Sequence, residues 1–262
     1  MVKKIFFVSL ALFGTMFSQL TICFADMEAK KTQTISLIQS GNFYEAETAT
    51  AAIMALPVSK EKGLVLQQIA GAYEYAKQYD RAINISDYIL QNWPKESFVV
   101  WTAMTKAFSQ LNKDDITAAN NSTDRIIIDY ADNNELPGVL SVMADVYSWH
   151  NMHDKAQQLY GIVADKSPNS PLAAKARLCI ARTKVMQLMD GDNYPLAAQQ
   201  INSLTSDFSG NPDLPETLYR IADRYKWAGK SEEAKGIYQL IQTQPANSYT
   251  DNVKLGIARA DA

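Results

Sequence analysis

The sequence predicts an all-α chain of about six helix–turn–helix units in series, closed by a C-terminal capping helix. Three observations predict it. Apolar residues recur at spacings of three and four over nearly all of residues 26–262, the period of a helix and not of a strand. An alanine returns at Ala46, Ala82, Ala119, Ala156, Ala197 and Ala234, at intervals of 36, 37, 37, 41 and 37 residues. Eleven or twelve residues past it, four copies carry a proline (Pro57, Pro94, Pro168 and Pro245), where a helix has to stop. The 262 residues are 47% hydrophobic and 20% charged, which is enough apolar side chain to bury a core.

The chain opens with Lys3 and Lys4, an apolar run from Ile5 to about Phe17, and small residues at Cys23 and Ala25 before Asp26. This is the order of a secretory leader, so residues 1–25 are expected to be a signal peptide cleaved after Ala25. Two other outcomes stay open. Leu20-Thr21-Ile22-Cys23 is close to a lipidation motif, although Ile22 is bulkier than that motif wants, and Ile5 to Phe24 could be retained as an anchor. In each case the chain is exported, with the periplasm as the expected compartment and any membrane association confined to this segment.

The units then follow in order at about residues 30–58, 63–96, 97–132, 137–170, 171–212 and 215–247, with a cap at 248–262. Four residues after each alanine stands Thr50, Ser86, Thr123, Tyr160, Ile201 or Tyr238, and seven after it Ile53, Ile89, Ile126, Val163, Leu204 or Ile241. Nine residues before it stand Tyr73, Tyr147 and Tyr225, preceded by Ile69-Ala70, Met143-Ala144 and Ile221-Ala222 on the same face of a first helix. Phe43, Tyr79, His153 and Tyr194 stand three before it, with Gly41 and Gly229 marking turns. A small alanine lets two helices approach, the tyrosine fills the gap beside it, and the branched residue seals the seam to the next unit. Three copies fit less well. Leu37 takes the tyrosine's place in the first; Phe108 lies eleven residues before Ala119; and the fifth carries Leu188 and an insertion placed at Gln187 to Asn193.

The order of these residues resembles the tetratricopeptide repeat family, whose unit of about 34 residues runs tyrosine, alanine, proline in this way. The resemblance implies a right-handed α-solenoid, a superhelix of six such repeats, whose first helices line a concave face. Pro168-Asn169-Ser170-Pro171-Leu172-Ala173-Ala174-Lys175-Ala176 is also similar to a junction of exported bacterial members, among them the Tol-associated cell-division coordinator and outer-membrane assembly lipoproteins.

Each helical residue advances about 100°, so residues two before and two after the packing tyrosine point about 160° away from it and are neighbours. They are Gly71 and Tyr75, Asp145 and Trp149, and Asp223 and Trp227. The resemblance implies that they line the concave face. Tyr75, Asp145, Trp149, Asp223 and Trp227 are therefore the candidate partner-binding residues, aromatics offering contact area and carboxylates fixing a backbone N–H or a basic side chain. The competing reading packs both tryptophans against neighbouring repeats.

Catalytic and cofactor chemistry find little purchase. Lys and Arg number 25 against 28 Asp and Glu, which leaves no basic footprint for nucleic acid. His150 and His153 are the only histidines, and His153 sits in a slot held elsewhere by aromatics, so packing is preferred to metal binding. Asp190-Gly191-Asp192-Asn193 lacks the ligand spacing of a calcium loop and reads as a lengthened turn. Cys179, between Leu178 and Ile180, reads as a buried thiol. No phosphate loop, dinucleotide fingerprint, zinc-protease motif or nucleophile elbow occurs. The expectation is a non-enzymatic scaffold without cofactor or metal that binds a protein or peptide in cell-envelope assembly or maintenance. A glycan- or peptidoglycan-binding helper is the alternative, and a hydrolase with unrecognised carboxylates a second one.

Overall fold

The computed structural model describes residues 26–243 and 249–260. The expected leader, Cys23 and the Pro245 stop lie outside them. Among the described residues every regular element is a helix, and α1 covers 26–39. It is followed by α2 (Phe43–Met54), α3 (Lys60–Tyr75), α4 (Tyr79–Asn92), α5 (Val99–Asn112), α6 (Ile116–Asp129), α7 (Leu136–Trp149), α8 (His153–Lys166), α9 (Pro171–Asp190), α10 (Tyr194–Asp207), α11 (Leu214–Trp227), α12 (Ser231–Gln242) and α13 (Thr250–Ala260). Odd and even helices are the first and second members of the six expected pairs, and α13 is the cap, packed on α12. The chain forms two compact units, one ending at Leu136 and the other beginning at Pro137.

The repeat positions read from the sequence are the core. All six spaced alanines are fully buried, as are Tyr73, Tyr147 and Tyr225 and the branched residues seven past each alanine. In the first unit α3 packs on α4 and α5, and in the second α9 packs on α10 and α11. The helix stops work as expected: α2, α4 and α8 end at Met54, Asn92 and Lys166, just ahead of Pro57, Pro94 and Pro168. At the junction before α9, the Ser170 hydroxyl accepts from the Ala173 N–H at 3.1 Å and Pro171 opens the helix where its missing N–H costs nothing.

The turns are more regular than the sequence suggests. Tyr73 O accepts from the Gln78 N–H and Glu74 O from the Lys77 N–H, the paired bonds of a Schellman C-cap. The same two bonds recur after Leu37, Gln110, Tyr147, Leu188 and Tyr225, so all six turns share one geometry. Two expectations are corrected by this. Gln110, nine residues before Ala119, occupies the tyrosine position of the third copy in place of Phe108. The fifth copy has no lengthened turn at Gln187 to Asn193: its extra residues extend α9 to 20 residues against 14 in α7 and α11. A turn closed by two hydrogen bonds cannot absorb an insertion, whereas a helix lengthens at no cost in backbone bonding.

The residue four past each capped position has to be left-handed. It is Gly41 and Gly229 in two copies but Lys77, Asp114, Asn151 and Asp192 in the others, with φ between 57° and 62°. A Cβ makes this conformation costly by about 1 kcal/mol. Lys77→Gly is accordingly expected to raise stability by about 0.5–1 kcal/mol and Gly229→Ala to lower it by about 1 kcal/mol, both read from chemical denaturation.

One core position was not foreseen. Lys62, in the first turn of α3, is 1% exposed. Its ammonium donates to Met54 O and Leu56 O at 2.6 Å each and to the Tyr88 hydroxyl at 2.8 Å, beneath the Tyr88 and Trp93 rings. It thereby satisfies carbonyls left over at the C-terminal end of α2.

Candidate functional site

The second unit contains an open-sided cavity of about 360 Å³ built on α7, α9 and α11. Trp149 and Trp227, each two residues past a buried tyrosine, line it and are 65% and 74% exposed. They do not pack away against neighbouring repeats. Asp190 takes the corresponding position on α9, two past Leu188, and Met186 and Asp223 stand two before the packing residues of α9 and α11. The identical turns explain this alignment: each first helix ends in the same cap, so equivalent residues on successive helices come into rows.

The floor is a set of ion pairs. Arg182, almost wholly buried on α9, donates to Asp145 Oδ1 at 2.7 Å and to the Tyr160 hydroxyl at 3.1 Å. Tyr160 in turn donates to the same Asp145 oxygen at 2.7 Å. Burial pushes both the Tyr160 phenol and the Cys179 thiol above their ordinary values, which favours their protonated forms at neutral pH. Asp190 joins three elements, accepting from Arg224 and lying 2.7 Å from His153 Nε2. Arg220 forks onto Glu216 at 2.7 and 3.0 Å and lies 5.9 Å from the Trp149 ring centre. Asp223 accepts the Tyr238 hydroxyl at 2.6 Å.

The Asp190 carboxyl is shifted by its surroundings. Burial raises it, but the hydrogen bonds from His153 and Arg224 outweigh burial and hold it below the ordinary carboxylate value. A depressed folded value stabilises the protein at every pH above the unfolded value, and the gain disappears as pH falls through the folded one. Asp190→Asn is therefore expected to flatten the loss of stability below about pH 4, measured as urea midpoints against pH.

Of the five residues expected to bind a partner, Asp145, Trp149, Asp223 and Trp227 gather at this cavity or directly beneath it. Tyr75 belongs to the first unit, at the end of α3, and is 88% exposed. Its counterpart on α5 is Asn112, which donates to Glu74 at 3.0 Å, so the aromatic row does not continue there. Arg182, Arg220 and Arg224 escaped the sequence reading, and Asp190 entered it only as part of a turn. A signal existed for part of the network: aspartate two before the packing position occurs in the fourth and sixth copies, the only ones with tyrosine four past the alanine. Among the described residues no group of His, Cys, Asp and Glu is arranged to hold a metal, and no helix is long and apolar enough to cross a membrane.

A tetratricopeptide repeat protein from Parabacteroides merdae superposes with a TM-score of 0.50 at 16% identity, covering 90% of this chain and 85% of its own. The fold is tetratricopeptide-like, of the all-α solenoid class. The apo form of RapI (TM-score 0.49, 10% identity, 90% of this chain and 70% of that one) and yeast Tom70 (0.43, 13%, 90% and 54%) match less closely. No family model matches the sequence. No curated protein matches it significantly.

Proposed function

We propose that the chain is a non-enzymatic scaffold that holds an extended segment of a partner protein in the α7–α9–α11 cavity. The observation that carries this reading is the pair of tryptophans at equivalent repeat positions, held in solvent on the rim of a cavity with a fixed polar floor. Large aromatics left in water beside a concavity are what a binding surface requires, because they bury area at small entropic cost when a partner arrives. Preorganisation supports it as well. Arg182, Arg220 and Arg224 are fixed by carboxylates before any ligand binds, so the receptor side loses little freedom on association.

Trp149 and Trp227 are the contact residues in this reading, Asp223 a polar contact, Asp145 the residue that positions Arg182, and Tyr75 an outlying aromatic of the first unit. The order of residues 2–25 supports export, with the periplasm as compartment and envelope assembly or maintenance as the setting. Fractionation and the mass of the mature chain test that part.

Binding is tested by placing a photo-crosslinking residue at Ser148, on the cavity wall. In cells it is expected to trap a discrete partner, and Trp149→Ala with Trp227→Ala to reduce the yield at least tenfold while leaving helicity unchanged. An unchanged yield in the double variant would remove the cavity as the binding site. Soluble glycan fragments that quench the two indoles, with no protein trapped, would favour the glycan-binding alternative.

A further inference from the structure

We infer that the segment held in this cavity presents a lysine or arginine side chain to Asp223, beside Trp227 and Trp149; this rests on the peptide-binding reading above. The argument is one of charge. Each arginine of the cavity already has a carboxylate: Arg182 has Asp145, Arg224 has Asp190, and Arg220 has Glu216. An acidic ligand would have to share an arginine with the carboxylate already on it, which sets two anions side by side. Asp223 differs. Among the described residues its hydrogen-bond partner is the Tyr238 hydroxyl, and no cationic side chain is paired with it.

One phenol bond uses only part of a carboxylate's acceptor capacity, which is about four lone-pair sites. A cation entering the half-enclosed space is drawn to Asp223 as the site's unbalanced charge. The surrounding groups suit the same ligand. Trp227 follows Asp223 by four residues on α11, hence on the same face of that helix, and among the described residues no cation lies over its ring. Trp149 already accepts the Arg220 guanidinium at 5.9 Å, which shows that a cation is accommodated against these indoles. Met186 adds an unbranched apolar wall against which a lysine or arginine stem can lie.

The test is selection of random heptapeptides on the purified full chain, followed by titration of a selected peptide. The wild type is expected to enrich Lys or Arg at one fixed position. Asp223→Asn, which keeps an oxygen for Tyr238, is expected to weaken the selected peptide about tenfold, the loss of a single charged contact. Asp223→Lys is expected to turn the selection toward Asp and Glu, and if that variant fails to fold the Asn variant decides alone. Selected peptides without a basic residue, or with unchanged affinity for Asp223→Asn, overturn the inference while leaving peptide binding intact. If no selected peptide loses affinity with Trp149→Ala and Trp227→Ala, the binding reading falls and the inference with it.

Discussion

Asp145→Ala is expected to destabilise the second unit by about 3–5 kcal/mol, among the largest effects of any single substitution in this protein. The loss exceeds that of one hydrogen bond because of what remains behind. Arg182 is only 6% exposed in its side chain, and without Asp145 its charge keeps a single neutral partner, the Tyr160 hydroxyl. Removing the charge along with its counterion should recover most of the loss, since an apolar pair in the same space avoids the desolvation of both ions. Asp145→Ala combined with Arg182→Met is thus expected to lie within about 2 kcal/mol of the wild type, giving a large coupling energy in a double-mutant cycle. Asp223→Ala, a substitution of the same kind at the equivalent position of the sixth copy, removes only the Tyr238 bond and is expected to cost about 1 kcal/mol. Urea unfolding followed by tryptophan fluorescence checks all three, and equal losses at Asp145 and Asp223 would contradict the burial argument.

Lys62→Ala is expected to cost a similar amount, about 3–5 kcal/mol, in the first unit. Two losses add. The buried four-carbon stem leaves a cavity beside Tyr88 and Trp93, and the ammonium no longer reaches the end of α2. Met54 O keeps the Tyr88 hydroxyl, at 3.0 Å, but Leu56 O loses the donor that Lys62 supplied. Lys62→Met refills the space without the charge, and it is expected to recover more than half of the loss because one orphaned carbonyl costs about 1–3 kcal/mol. If Met behaved as badly as Ala, the ammonium and not the packing would dominate. Hydrogen exchange at the α2 amides provides a second readout, with faster exchange expected in both variants.

The difference between Asp145 and Asp223 marks how far the residue order goes. Both sit two residues before a buried tyrosine, both precede a tryptophan by four, and both receive a phenol from the second helix. The spacing determines all of that, because a residue's angle on its helix follows from its number. Arg182 makes them unlike. It lies 37 residues from Asp145, on the first helix of the next pair, whereas among the described residues no arginine is paired with Asp223. The same applies to Lys62, which stands where the fourth and sixth copies have Leu136 and Leu214. Nothing local distinguishes a lysine bound for solvent from one that caps the helix before it.

The sequence by itself determined the period, the six pairs, the buried alanines and tyrosines, and the angle of Trp149 and Trp227 on their helices, all of which follow from helix geometry and local stop signals, but it left open whether neighbouring repeats cover the two indoles. Only the tertiary structure decided that every turn closes alike, that the surplus residues of the fifth copy lengthen α9, and which carboxylates are spent on arginines. The physical reason is that face and period are properties of one helix, whereas charge balance in a cavity belongs to three helices brought together by packing that is blind to the charges on their rims.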